Sequence, residues 1–174
     1  MDIPEAVQGM EKTAWRPLTI PDDGQLDSSK FGGRPWMAQD EPWPLCGYCG
    51  HPLQFIAQIN LCAVPEEVRD TFGDGLLQLF YCTNSDPLCE VEREGWEPFS
   101  EGALVRVVDP VGPSAAVVMP EFEESFPSRL VVDWIRSADY PAWCELYDLL
   151  SLPDSVGEIL EARGFPHRGD KLGG

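Results

Sequence analysis

Four cysteines in two pairs constrain this chain more than any other feature. Cys46-Gly47-Tyr48-Cys49-Gly50 is a C-x-x-C-G knuckle, and Cys82 and Cys89 form a second pair with six residues between them. Two thiolates three positions apart face one ion when the backbone turns between them, and Gly47 and Gly50 permit such a turn. A tetrahedral metal of the zinc type takes four soft or borderline ligands, so the second pair completes the set. Cys46, Cys49, Cys82 and Cys89 are therefore the expected ligands of one structural Zn2+. A closed four-thiolate site leaves no coordination position for substrate and serves to hold the fold. A redox reading of Cys46 and Cys49 needs the motif at a strand-to-helix junction, whereas here it precedes a strand. Cys62 ends an apolar strand and reads as a small core residue, as does Cys144 in PAWCELYDLL. Cys62 and His51 stand as alternative candidates for a ligand place.

The secondary-structure signals are short and strand-led. Residues 53–61 alternate, with Leu53, Phe55, Ala57, Ile59 and Leu61 on one face and Gln54, Ile56, Gln58 and Asn60 on the other. The pattern predicts a strand whose Gln face is wet or hydrogen-bonded. Leu76 to Cys82 reads as a central strand, apolar on both faces. Leu104 to Val108, Ala116 to Met119 and Leu130 to Ile135 are further strand candidates. Pro65 opens a short helix to about Phe72, Pro141 one to about Leu150, and Ser155 one to about Arg163 with Gly164 as its cap. The 17 Pro and 16 Gly in 174 residues favour short elements joined by turns. The expected class is α+β: a β-rich unit of mostly antiparallel strands with a zinc knuckle and two C-terminal helices.

Residues 1–27 read as an N-terminal extension, with a strand around Trp15 to Ile20 and a turn at Pro21-Asp22-Asp23-Gly24. Residues 28–174 read as a single zinc-bearing domain. Within it, residues 28–45 form a Gly-, Pro- and Trp-rich ordered loop pinned by Trp36 and Trp43. Ser29-Lys30-Phe31-Gly32-Gly33 is echoed by Asp170-Lys171-Leu172-Gly173-Gly174, as though a second repeat began near 170.

Charge narrows the partners. Thirty acids against twelve bases give a formal net charge of −18. Such a surface repels phosphate backbones and attracts a basic partner. No signal peptide and no membrane-length apolar run is visible, so a cytoplasmic location without membrane contact is expected. The two histidines, His51 and His167, sit in no catalytic pattern, and no phosphate-binding glycine loop is present. Glu92 with Glu94, or Glu123 with Glu124, could be read as carboxylate pairs, but a solvated acidic loop accounts for them. No enzyme is expected.

The segments SKFGGRPW, CGYCGHPLQFIAQINL, LLQLFYC with Cys89 beyond, and WEPFSEGALVRVV resemble the YwqG-like family of bacterial proteins and the related eukaryotic programmed cell death protein 2 group. The resemblance covers roughly residues 28–108 and the closing DKLGG. It implies a zinc-bearing β-rich unit built as two related halves, of which this chain carries the first. It also implies a chaperone-like or immunity-like role, since the eukaryotic relatives escort a ribosomal protein. An RNA-processing or RNA-associated role is the alternative by family analogy, with Arg16, Lys30 and Arg34 as its basic candidates. An inactive fragment of a longer two-repeat protein is the remaining alternative.

Overall fold

A computed structural model describes residues 4–85, 89, 97, 99–114, 118–141, 146, 151–165 and 172–173. The chain divides into two compact units, Thr19–Val132 and Met1–Leu18 with Asp133–Gly174. The main elements are β1 (Lys12–Ile20), β2 (Lys30–Phe31), β3 (Gln54–Asn60), α1 (Glu66–Phe72), β4 (Leu76–Tyr81), β5 (Ala103–Val108), β6 (Arg129–Asp139), α2 (Asp154–Ala162) and β7 (Leu172–Gly173). The mixed, strand-led class expected from the sequence is the one observed.

In the 19–132 unit the strands run in the order β5-β4-β3-β2-β6, paired antiparallel throughout. The register of β3 on β4 shifts between Phe55 and Ala57. The extra residue, Ile56, is a bulge, and its carbonyl accepts from the Gly32 N–H at 2.8 Å. A bulge inverts the alternation beyond it, because two residues occupy the space of one. Phe55 opposes Phe80 and Gln58 opposes Gln78, so Phe55 and Gln58 share one face of the sheet. This corrects the strict alternation expected for 53–61. The Gln side chains are buried and hydrogen-bonded rather than wet: Gln58 and Gln78 are both 0% exposed.

Those glutamines staple the Trp-rich loop to the sheet. Gln58 donates through Nε2 to the carbonyls of Leu26 (2.7 Å) and Ser28 (3.0 Å). Its Oε1 accepts from the Trp36 N–H (3.0 Å) and from Gln78 Nε2 (2.8 Å), which also donates to the Trp36 carbonyl (2.7 Å). Arg106 on β5 donates through Nε to Gln78 Oε1 (2.9 Å), pairs with Glu41 and lies over the Phe80 ring. Every buried amide in this row finds a partner, which burial of polar groups requires.

The turn at Asp22-Asp23 closes a second polar hub. Asp23 Oδ1 accepts from Lys30 Nζ (3.3 Å), the Arg34 N–H (3.1 Å) and Ser128 Oγ (3.1 Å), and Oδ2 accepts from Arg34 Nε (3.1 Å). Gly32 and Gly33 have φ of +58° and +71°, and a Cβ on Gly33 would run into the Asp23 carboxylate. One carboxylate thus accounts for Lys30, Gly33 and Arg34, while a Cβ on Gly32 would run into the Phe126 carbonyl at 2.7 Å.

In the other unit, β1 lies between β6 and β7, and β1 pairs antiparallel with β7. The strand expected around Trp15 to Ile20 begins at Lys12. Val7, Leu146, Val156 and Leu160 form its core. Helix α2 ends as the sequence predicts: Gly164 has φ +82°, its N–H reaches the Glu161 carbonyl, and the Phe165 N–H reaches the Leu160 carbonyl. That pair of bonds is a Schellman cap. Of the helix expected from Pro141 to Leu150, all but Pro141 and Leu146 lie outside the described residues, as do Ala116 and Val117 of the strand candidate at Ala116 to Met119, whose described residues Val118 and Met119 are not in a strand. No helix among the described residues is long and apolar enough to cross a membrane.

Candidate metal centre

The knuckle sits at the tip of a two-rung hairpin. Leu45 bridges Pro52, the Leu53 N–H bonds the Pro44 carbonyl, and the Cys46 N–H bonds the His51 carbonyl at 2.8 Å. The turn itself is closed by the Gly50 N–H on the Cys46 carbonyl, with Gly50 at φ +72°. Gly47 has a different role from the one expected. Its φ is not positive; instead a Cβ there would meet the Glu101 carboxylate at 2.6 Å, and its N–H bonds the Glu101 carbonyl. Gly47 is needed for close approach, Gly50 for backbone angle.

The second pair comes from the end of β4. The Cys82 N–H is fixed by the Gly102 carbonyl (2.8 Å), and the Cys89 N–H by the Asn84 carbonyl (3.1 Å). These bonds swing Cys89 back onto Cys82. The four sulfurs lie within 4.8 Å of one another. Cys46 Sγ is 3.7 Å from Cys89 Sγ, and Cys49 Sγ is 3.6 Å from Cys82 Sγ. A tetrahedron with metal–sulfur bonds of about 2.3 Å has sulfur–sulfur edges of about 3.8 Å, so the donor set fits a tetrahedral metal ion. A disulfide would need about 2.05 Å, and all four cysteines are free thiols.

Electrostatics point the same way. Burial pushes the Cys49 thiol up, but the His51 backbone N–H and the thiols of Cys46 and Cys82 outweigh it and hold Cys49 at about 6. Burial drives Cys82 upward, reinforced by its Cys46 and Cys49 neighbours, and raises Cys89 to about 11. One thiolate forms readily and its neighbours resist a second negative charge; a bound cation removes that resistance.

The cluster is continuous with the core of its unit. Cys46, Cys82 and Cys89 pack with Met37, Leu53, Phe55 and Phe80. Trp43 covers them from the side, its Nε1 donating to the Leu53 carbonyl (2.7 Å) and its ring meeting Phe80 edge-on. Trp36 is buried as well. Both tryptophans therefore pack inward instead of presenting anchors to a partner.

The other candidates fall elsewhere. His51 contributes its carbonyl to the knuckle, and its exposed side chain is not one of the four clustered ligands but hydrogen-bonds the Cys49 thiol. Cys62 is not a core residue: the 3-10 turn Leu61–Ala63, capped by the Asn60 side chain, throws it outward to an exposed position beside Asp74. Lys30 and Arg34 are both held by Asp23, Lys30 with its side chain buried and Arg34 with 64% of its side chain exposed. Cys144, Glu92 and Glu94 lie outside the described residues.

The fold and cluster define a β-rich domain with a four-cysteine centre able to hold a metal ion. The family model for a domain of unknown function, DUF1963, matches residues 29–127, more than half the chain, and the chain belongs to that family. YwqG-like proteins are in it. The matched region lies wholly inside the 19–132 unit. No curated protein matches the chain.

Proposed function

We propose that this chain is a non-enzymatic protein-binding module, stabilised by one structural zinc ion on Cys46, Cys49, Cys82 and Cys89, that takes a basic protein partner in a chaperone-like or immunity-like role. Within its family we group it with the YwqG-like proteins, as the first of two related repeat units. The observation that carries the reading is the closed sulfur tetrahedron built into the core of a protein with net charge −18. Four thiolates saturate zinc, which leaves the ion a structural role. Zinc is preferred because an all-thiolate tetrahedron is its common structural environment, with iron as the competing occupant. A reducing cytoplasm keeps such thiols available.

The acidic surface supports a basic client through long-range attraction. An RNA-associated role has less support, because Lys30 is buried and Arg34 shares the Asp23 carboxylate with it. Affinity capture from a cell lysate tests the partner: the reading expects enrichment of basic proteins, and recovery of neutral or acidic proteins alone contradicts it.

A further inference from the structure

A groove of about 680 Å³ runs beside the sulfur cluster. One side is tethered to it: His51 follows Cys49 by two residues, and Thr83 to Ser85 follow Cys82 directly. The other side is the segment 121–126, whose sequence is EFEESF. Two bonds join the sides. Gln54 Nε2 donates to the Glu124 carbonyl (2.8 Å), and Ser85 Oγ donates to Glu123 Oε2 (3.2 Å).

The lining has an asymmetric chemistry. Glu121, Glu123 and Glu124 contribute carboxylates, and the described lining holds no Lys or Arg. Phe122 and Phe126 contribute aromatic rings, with Phe126 half exposed. Gln54 is the lining residue that is most withdrawn from solvent, at 3% exposed, and its Oε1 has no hydrogen-bond partner among the described residues. A buried acceptor without a donor destabilises the site that holds it. Acceptors, negative charge and ring faces together call for a flat cation with several N–H donors. An anion would be repelled, and a neutral apolar group would leave the acceptors unmatched. An ammonium supplies charge but neither a planar face nor a fork of donors. A guanidinium supplies all three and stacks on aromatic rings.

We propose that this groove receives an arginine side chain of the basic partner, an assignment that rests on the protein-binding reading above. The test titrates the metal-loaded full chain with acetyl-Gly-Arg-Gly-amide, its lysine counterpart and its uncharged citrulline counterpart, followed by amide NMR. The arginine peptide is expected to saturate, with shifts at Gln54, Thr83 to Ser85 and residues 121–126. The lysine peptide should bind more weakly and the citrulline peptide not measurably. Glu121→Gln/Glu123→Gln/Glu124→Gln should weaken the arginine peptide by about tenfold or more, while the equally neutralised Glu66→Gln/Glu67→Gln/Glu158→Gln should change it by less than about threefold. Equal losses in the two triple variants, equal binding of lysine or citrulline, or no binding of the arginine peptide would each overturn the assignment. The two readings separate in the capture experiment. Basic proteins still retained by the groove variant sink the groove alone, and none retained by the unmodified chain sinks the protein-binding reading itself.

Discussion

Asp23 accepts four hydrogen bonds on one carboxylate, and its loss takes the ion-pair partner from the ammonium of Lys30, whose side chain is 0% exposed, and leaves it the Arg34 carbonyl at 3.2 Å. Asp23→Asn should destabilise the fold by about 2–4 kcal/mol, somewhat under the figure for a fully buried pair because Asp23 keeps 28% of its side chain in solvent. Arg34→Ala should cost less than about 1 kcal/mol, since Arg34 is 64% exposed. Urea unfolding of the two variants measures both. Burial raises the Asp23 carboxyl, but the Arg34 backbone and side-chain N–H groups, with Lys30 and Ser128, outweigh it and hold it below 3.8. A lowered acid pKa stabilises the fold above the unfolded value and loses that contribution as pH falls through the folded value. The stability gap between the parent chain and Asp23→Asn should therefore be full near neutrality and shrink below pH 3.8; a gap independent of pH would contradict the hub. Lys30 slopes the same way at the other end of the pH range: burial lowers its pKa from 10.5, so the cost of keeping its ammonium buried is relieved as pH rises from the folded value to 10.5. At this scale the sequence was only partly legible. Asp22-Asp23-Gly24 shows a turn, but nothing local reveals that Asp23 meets Lys30, Arg34 and Ser128, the last of them 105 residues away. Cys62 misled for a related reason: its apolar neighbours in sequence suggest a core, while the 3-10 turn after β3 determines where its side chain points.

Among the elements, β3 departs furthest from its sequence pattern. Alternation locates the strand, but the Ile56 bulge depends on partners across the sheet: Gly32 on one side and β4 on the other. The bulge brings Gln58 into the row with Gln78 and Arg106, so polarity that reads as solvent exposure is a buried network. Gln78→Met should remove bonds to Gln58, Trp36 and Arg106 and destabilise by about 3 kcal/mol, the cost of several buried groups left unmatched. Gln54→Met, on the same sheet, should cost about 1 kcal/mol or less, because Gln54 contributes one bond and its Oε1 is already unpartnered. Thermal unfolding of the two variants side by side checks the order; a reversed order would mean the amide row does not staple the 26–41 loop. The helix ends were legible, because Gly164 and the Pro at position 65 act through local backbone chemistry.

For the whole molecule, charge and cysteine spacing were the readable quantities. The pairs at 46/49 and 82/89 meet as their spacing implies. The groove was invisible in the sequence, because its lining comes from three segments separated by about thirty residues or more. If net charge draws in the partner, raising salt from 0.05 to 0.5 M should slow association by roughly tenfold or more while changing dissociation little, as surface-plasmon measurements on a captured basic protein would show. A salt-independent association rate would remove charge from the account.

The most direct measurement is native mass spectrometry of the freshly reduced chain with Cys46→Ser and Cys89→Ser beside it. The account predicts one zinc ion per parent chain, none in either variant, and loss of the cooperative unfolding transition together with the metal. A parent chain that carries no metal yet unfolds cooperatively would contradict the zinc centre and leave the four sulfurs as packed core thiols.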